Sequence, residues 1–423
     1  MKDFKIKRYD YERTRKRKRA VKATLLTAVL VAAALAVGWF VYPPVYDFVT
    51  NFQLPQPSAG EPGQEDSPSG SGEALPESSS SSAPQAEADI AFPQSAAYLP
   101  PEVVKDAARL DSALADLSAK GIDGVVFDLK DADGLVHYQS GLELVQTNRA
   151  QAETVYDLAQ VTARIREAGL VPVGRLFAFE DRTATAHMYD SAVKYMDSEV
   201  NWIDDSRDNG GKSWLNPNNR EAQDYIIALT EEAVGMGLEA VLLDGVQFPE
   251  GVSLNLATYG NTGTLDKSAI LTDFLTRARG AAEGAGGYIA TTVNLLSAAG
   301  LSDVRYGGDV AAVISAAGRA VVEVMPEQFG NGVTSEALTL SAPALDPYAS
   351  LSQALEACGE VLLGDGEVEL AAMIQAYTST TLEAAVNKTY GPEEIQDQVR
   401  AVQEAGIQNL LYYNPQGDYS ALG

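Results

Sequence analysis

Short apolar runs alternate with longer amphipathic segments over the C-terminal part of the chain. The runs are rich in Val, Ile, Leu and aromatic residues, which favours β-strands. The segments between them carry apolar residues at helical spacing, and several end on Gly, a common helix stop. We therefore predict strands at residues 97–100, 124–130, 171–179, 240–248, 287–294, 320–326, 370–377 and 407–413.

The order of these elements is typical of parallel βα units. A helix that closes on Gly and leads directly into a strand recurs in "SAKGIDGVVF", "REAGLVPVGR", "VGMGLEAVLL" and "QEAGIQNLLY". Eight such strands over residues 96–423 predict a (β/α)8 TIM barrel, with a doubly wound open sheet as the alternative. The sequence shows no Gly-rich phosphate loop, so it gives little support to nucleotide binding.

The N-terminal part has a different pattern. Residues 1–22 hold eleven Lys or Arg against three acidic residues, and residues 23–42 carry no charge. Twenty helical residues at ~1.5 Å each cover the ~30 Å hydrocarbon core of a bilayer, and a basic flank stays on the cytoplasmic side. We expect a cytoplasmic tail, one retained transmembrane helix at residues 23–42 and an extracellular domain; a cleaved signal peptide is the alternative.

Residues 43–95 are rich in Pro, Ser, Gly and Glu, which predicts a disordered linker between the anchor and the barrel. The formal net charge of the chain is -27, which argues against nucleic acid as a partner. One cysteine, Cys358, excludes an internal disulfide, and two histidines are too few for a multi-histidine zinc site. We expect neither a metal nor another cofactor.

Charged residues occur late in several predicted strands. Both faces of a parallel strand in a barrel are buried, and its carboxyl end opens into the mouth where active sites form. The residues concerned are Asp128 in "VVFDLKDADG", Arg175 in "VGRLFAF", Asp244 in "LLDGVQFP", and Glu323 and Glu327 in "VVEVMPEQFG". For any single one of these, a buried ion pair or a strand-end cap is an alternative role.

Four motifs in order resemble the putative glycosyl hydrolase domain family of bacterial (β/α)8 barrels. They are "VVFDLKDADG", "LVPVGRLFAFED", "WLNPNNREAQDY" and "LDGVQFP". The resemblance implies a barrel of the glycoside hydrolase type and a carbohydrate substrate. Three positions depart from the family pattern: Gly245 replaces a tyrosine, Gln247 an arginine and Asn216 an aspartate. The fifth strand has Thr292 near a position where the family usually carries an acid.

Glycoside cleavage requires one carboxylic acid to protonate the leaving oxygen and a second carboxylate to act as nucleophile or base. We assign the second role to Asp244 and the acid role to Glu323, with Glu327 as the next candidate. Asp128 and Arg175 are predicted to bind sugar hydroxyls or to tune a pKa. Trp202, Trp214 and Phe248 could stack on sugar rings, with ordinary packing as the alternative.

The sequence thus predicts a membrane-anchored, extracytoplasmic glycoside hydrolase that acts on a cell-wall or extracellular polysaccharide. The alternative is a non-catalytic protein of the cell envelope that binds a polysaccharide or oligosaccharide and has kept the barrel without the chemistry.

Overall fold

The eight apolar runs form eight parallel strands in a computed structural model, which describes residues 92–260, 265–300, 305–335, 338–363 and 368–422. Each run is long enough for one strand, and all but the last are buried over most of their length. The strands are β1 (Ser95–Leu99), β2 (Gly124–Lys130), β3 (Val171–Phe177), β4 (Ala240–Asp244), β5 (Tyr288–Asn294), β6 (Arg319–Glu323), β7 (Glu369–Gln375) and β8 (Asn409–Tyr413).

The sheet closes on itself. Strand β1 pairs in parallel with β2 through Ala96 and Gly124, and with β8 through Ala96 and Leu411, while the other strands pair in chain order. The predicted (β/α)8 barrel is confirmed and the open-sheet alternative is wrong. Five strands end before the predicted boundary, by one to four residues, because apolar loop residues such as Phe179 and Phe248 continue the hydrophobic pattern beyond the last ladder hydrogen bond.

Helices follow the barrel strands along the chain. The described residues include seven of eight or more residues: α1 (Ala107–Ala119), α2 (Leu158–Glu167), α3 (Arg220–Gly235), α4 (Lys267–Ala285), α5 (Val310–Ala317), α6 (Pro347–Leu363) and α7 (Pro392–Glu404). Six begin after an Asp or Asn whose side chain accepts a hydrogen bond from a first-turn N–H group, which satisfies a donor without a helical partner. These caps are Asp106, Asp157, Asn219, Asp266, Asp309 and Asp346.

Alternate residues of each strand point to opposite faces, which separates two apolar cores. The inner core fills the barrel with residues such as Ala96, Val126 and Leu242, and the outer core lies under the helices. At the amino end of the barrel, Arg319 Nε lies 2.9 Å from Glu369 Oε2, and the backbone N–H of the buried Phe92 donates to Glu369 Oε1. The charged groups of this end are therefore paired with each other.

Long connections at the carboxyl end of the barrel build walls around its mouth. They comprise residues 131–156, 178–219 and 245–260, and the first of them includes two extra strands, Val136–Tyr138 and Gln151–Tyr156. The second connection is joined to the end of β2 by a fully buried ion pair, in which Lys130 Nζ lies 2.9 Å from Asp181 Oδ2. Lys130 also donates to the carbonyl of Phe177 at 2.7 Å, which fixes the end of β2 against the end of β3.

The predicted cytoplasmic tail, transmembrane helix and nearly all of the linker fall on residues 1–91, which lie outside the described residues. Within the described residues, no helix combines the length and apolar character needed to cross a membrane. Ordered structure is already present at Phe92, which is 3% exposed, four residues before the predicted start of the barrel domain.

Candidate active site

The inward-facing positions near the carboxyl ends of the strands carry the polar residues of the site. Asp128, Arg175 and Asp244 each stand two residues after an inner-core residue of their own strand, so they share its inward direction. The same rule places Thr292, Asn294 and Glu323 inside the mouth. Thus the strand-end charges predicted from the sequence come together, although they are far apart along the chain.

Arg175 links two of these carboxylates. Its Nε donates to Asp128 Oδ1 at 2.7 Å, and its Nη1 lies 3.6 Å from Asp244 Oδ2. All three side chains are less than a tenth exposed. Burial disfavours the charge on Arg175, but Asp128 and then Asp244 outweigh it and raise the pKa of the guanidinium well above its usual value. Arg175 is therefore a permanent cation between two acids.

Aromatic rings surround this cation. The guanidinium carbon of Arg175 lies 4.6 Å from the ring centre of Tyr98, 4.8 Å from that of Phe177 and 5.5 Å from that of Tyr413. The Tyr98 hydroxyl also donates to Asp128 Oδ2 at 2.7 Å. Cation–π contacts and these hydrogen bonds together restrain Arg175 and Asp128 in one arrangement.

Asp244 has a second partner on the opposite side. The Thr292 hydroxyl on β5 donates to Asp244 Oδ1 at 2.7 Å, so β3 and β5 both contribute to the position of this carboxylate. With 7% of its surface exposed and only polar or charged groups at its oxygens, Asp244 is buried as a paired charge. These partners compensate for the unfavourable free energy of removing the Asp244 carboxylate from water.

Glu323 occupies a different environment. It keeps some exposure to the mouth, but protein atoms crowd its carboxyl group. This burial, and next the negative charge of Asp244, raise the pKa of Glu323 from 4.5 to about 7, although the amides of Gln328 and Asn294 and the charge of Arg305 oppose the rise. At neutral pH Glu323 therefore retains a proton in a substantial fraction of molecules, as a general acid requires.

Glu327 is held by hydroxyl groups. Tyr377 donates to Glu327 Oε2 at 2.6 Å and the Thr381 hydroxyl donates to Oε1, while the backbone N–H of Glu327 donates to Gln375 Oε1. Both carboxylate oxygens are thus occupied as acceptors. This arrangement suits a residue that fixes the wall of the mouth beside β7, and it favours Glu323 over Glu327 as the proton donor.

The structure does not support the predicted sugar-stacking role of three aromatic residues. Trp202 and Phe248 are fully buried, and Trp214 is 5% exposed. The Trp202 indole donates to the Ser253 carbonyl, whereas that of Trp214 donates to Asp204 Oδ2 at 2.9 Å. These aromatic rings pack the long connections against the barrel, so their faces are covered.

Sequence reasoning missed other residues of the mouth. The partly exposed rings of Phe177, Tyr377 and Tyr413 lie at or just after the carboxyl ends of β3, β7 and β8. Their inward-facing positions in the sequence of each strand could have predicted that they line the mouth. A further carboxylate, Glu180, lies 3.0 Å from Lys212 Nζ. Burial, together with the charges of Asp204 and Asp244, raises the pKa of Glu180 despite this partner.

Within the described ranges, no three His, Cys, Asp or Glu side chains are grouped as they would be to hold a metal ion. The acids of the mouth are instead engaged with Arg175, Thr292 and neighbouring hydroxyls. Carboxylates held in this way can perform acid–base and nucleophilic chemistry.

A closed parallel barrel with two differently buried carboxyl groups in its mouth is an arrangement of the kind that glycoside hydrolases use. A family model described as "Putative glycosyl hydrolase domain" matches residues 96–419, and the chain belongs to this family. The family predicted from the four sequence motifs is thereby confirmed.

The solved structure of a glycoside hydrolase domain agrees with the fold. The glycoside hydrolase domain of PgaB (BpsB) from Bordetella bronchiseptica is similar with a TM-score of 0.56 and 14% identity, over 76% of this chain and 94% of that one. A hypothetical protein from Ruminiclostridium thermocellum is 28% identical with a TM-score of 0.41, over 46% of this chain and 95% of that one. A search of curated proteins found no significant match.

Proposed function

We propose that this protein hydrolyses a cell-wall or extracellular polysaccharide, with Glu323 as the general acid and Asp244 as the nucleophile or base. The observation that carries the proposal is the contrast between these two carboxyl groups. Asp244 lies beside a permanent cation and accepts a hydroxyl hydrogen bond, whereas burial keeps a proton on Glu323 up to about pH 7. Two acids with different environments are the requirement of glycoside cleavage.

In the first step Glu323 donates its proton to the glycosidic oxygen, and the bond from this oxygen to the anomeric carbon breaks. The carboxylate of Asp244 either attacks the anomeric carbon or removes a proton from a water molecule that does so. Arg175 and Thr292 hold Asp244 as an anion through this step, and Asp128 fixes Arg175. If Asp244 attacks, a glycosyl ester forms on its carboxylate; in a second step the deprotonated Glu323 removes a proton from a water molecule, which attacks the anomeric carbon and releases Asp244. If Asp244 acts as the base instead, the product forms in one step and Asp244 ends with the proton of the water molecule.

The test compares turnover of a panel of cell-wall and exopolysaccharides by the wild type, Asp244→Asn and Glu323→Gln. Each substitution keeps the side-chain shape and should lower the rate by orders of magnitude. Glu369→Gln is the matched control, because it removes a paired carboxylate at the opposite end of the barrel. That control should lose stability and keep its kcat. Full activity of Asp244→Asn would contradict the assignment.

A non-catalytic glycan-binding protein is the second candidate. The observation that favours it is the carboxyl end of β5, which offers Thr292 and Asn294 and no acid. For such a protein the same experiment gives no turnover in any variant, and glycan binding that is lost only in Asp244→Asn.

The proposal also includes the location of the protein in the cell. A basic segment before a charge-free stretch of twenty residues supports one membrane anchor, with the barrel outside the cell. Protease added to intact cells should then cut in the Pro- and Ser-rich linker and release the barrel domain. Protection of the barrel until the cells are lysed would contradict this orientation.

A further inference from the structure

Thr292 makes two hydrogen bonds whose directions depend on each other. The backbone N–H of Gly245 donates to Thr292 Oγ1 at 3.3 Å, and Thr292 Oγ1 lies 2.7 Å from Asp244 Oδ1. An ionised carboxylate has no hydrogen to give, so the Thr292 hydroxyl must donate. The Gly245 N–H occupies a lone pair of the same oxygen and leaves the hydroxyl hydrogen free to point at Asp244.

The surroundings of Thr292 make this arrangement rigid. Thr292 is 4% exposed and lies on β5, which pairs with β4 directly before Asp244. Gly245 has φ of 63°, the left-handed conformation that glycine adopts without strain, and this turn aims its N–H at Thr292. The hydroxyl therefore connects the carboxylate to the backbone immediately after it.

We propose that Thr292 is a positioning residue of the active site, which orients Asp244 for attack and stabilises its charge through a single donated hydrogen bond. The inference rests on the proposed function of Asp244. In this inference Thr292, a neutral residue of β5, positions Asp244 from the place on the strand where the family pattern usually has an acid. Arg175 fixes Oδ2 of Asp244 from β3, and Thr292 fixes Oδ1 from β5, so the carboxylate cannot rotate.

Several other groups act on Asp244, and the test must separate Thr292 from them. The cation is Arg175, which is itself paired with Asp128. The other titratable groups whose charges interact with Asp244 are Glu180, Glu323, Tyr306 and Tyr413. None of them is altered by a substitution of Thr292.

The experiment replaces Thr292 by Val, which keeps the branched shape and removes the hydroxyl. Thr291→Val is the matched control: Thr291 is also fully buried on β5, but it points to the opposite face and its hydroxyl donates to the Leu243 carbonyl at 3.3 Å. Thr292→Ser restores the hydroxyl. All variants are made in the full chain and are compared by thermal melting before any other measurement.

The first measurement does not depend on turnover. In protein with ¹³C-labelled carboxyl groups, NMR follows the titration of the Asp244 and Glu323 pair, which is assigned with Asp244→Asn and Glu323→Gln. Loss of a charge-assisted hydrogen bond should move the lower step of the pair upward by about one to two pH units in Thr292→Val. Thr291→Val and Thr292→Ser should leave this step within a few tenths of a unit of the wild type.

The second measurement is the pH dependence of kcat on an active polysaccharide. Thr292→Val should lower kcat by about ten- to a hundredfold with little change in KM, and should move the acidic limb upward by the same one to two pH units. An unchanged titration in Thr292→Val overturns the inference, whatever happens to the rate. If the titration shifts but no polysaccharide is hydrolysed by any variant, the hydrogen bond from Thr292 to Asp244 is supported and the proposed hydrolysis is contradicted.

Discussion

Glu323→Gln should stabilise the protein at pH 8 and leave its stability almost unchanged at pH 5. The folded protein raises the pKa of Glu323 from 4.5 to about 7, mainly by burial and then by the charge of Asp244. A carboxyl group with a raised pKa binds its proton more tightly in the folded state than in the unfolded state. The free energy of unfolding therefore falls as the pH rises from 4.5 to 7, and above pH 7 the loss is complete.

The size of this loss follows from the shift in pKa. At about 1.4 kcal/mol per pH unit, the shift corresponds to about 3 kcal/mol at pH 8. Glutamine carries no charge at either pH, so the variant avoids this loss. A change of 1 kcal/mol moves the melting temperature of a domain of this size by roughly 2 °C, so we expect a gain of about 6 °C at pH 8 and only about 1–2 °C at pH 5.

The assay is thermal unfolding of the purified protein at both pH values, with Glu327→Gln as the control. The carboxylate of Glu327 accepts hydrogen bonds from Tyr377 and Thr381, so its replacement should destabilise the protein by about 1–2 kcal/mol at pH 8. If Glu323→Gln melts below the wild type at pH 8, or if its gain is the same at both pH values, the raised pKa of Glu323 is refuted.

Three further predictions concern the same barrel. Arg175→Met should lower the free energy of unfolding by about 3–5 kcal/mol in urea titration, because Asp128 and Asp244 would share a buried site without a cation; an unchanged midpoint would contradict this. The rate of polysaccharide hydrolysis should fall as the pH rises through about 7, where Glu323 loses its proton, and a constant rate to pH 9 would exclude Glu323 as the acid. Trp202→Phe should lower the melting temperature and leave KM unchanged, since the ring is fully buried; a large rise in KM with normal stability would restore its sugar-binding role.

The sequence was sufficient for the barrel because parallel strands buried on both faces require continuous apolar runs. The run in β2 is buried at every position, and its prediction matches the observed bounds of Gly124–Lys130. Boundaries failed where the chain stayed apolar after the ladder ended, as from Gly245 to Phe248. A run of apolar residues indicates that a segment is buried but not that it is a strand. These connections are buried and are not strands, so the predicted strands were too long.

The site was only partly predictable. Charges late in apolar strands identified Asp128, Arg175, Asp244 and Glu323, because a charge in such a run must face the mouth or a partner. The partner of Asp244 escaped detection because no cation lies near it in the sequence; Arg175 comes from the neighbouring strand. Whether a tryptophan ring in a long connection is exposed depends on how that connection folds back on the barrel. The residues next to it in the sequence do not indicate this path.

The order of strands around the barrel explains why Asp244 and Glu323 differ. Strand β4 lies between β3, which supplies Arg175, and β5, which supplies the Thr292 hydroxyl, so Asp244 receives a cation and a donor from its two neighbours. Strand β6 lies between β5 and β7, where Glu323 is in register with Asn294 and Met373 and meets no cation on either strand. One arginine on β3 is thus on the strand next to one acid and three strands away from the other. The same mouth therefore gives the two carboxyl groups unequal access to a positive charge, which supports different roles for them in catalysis.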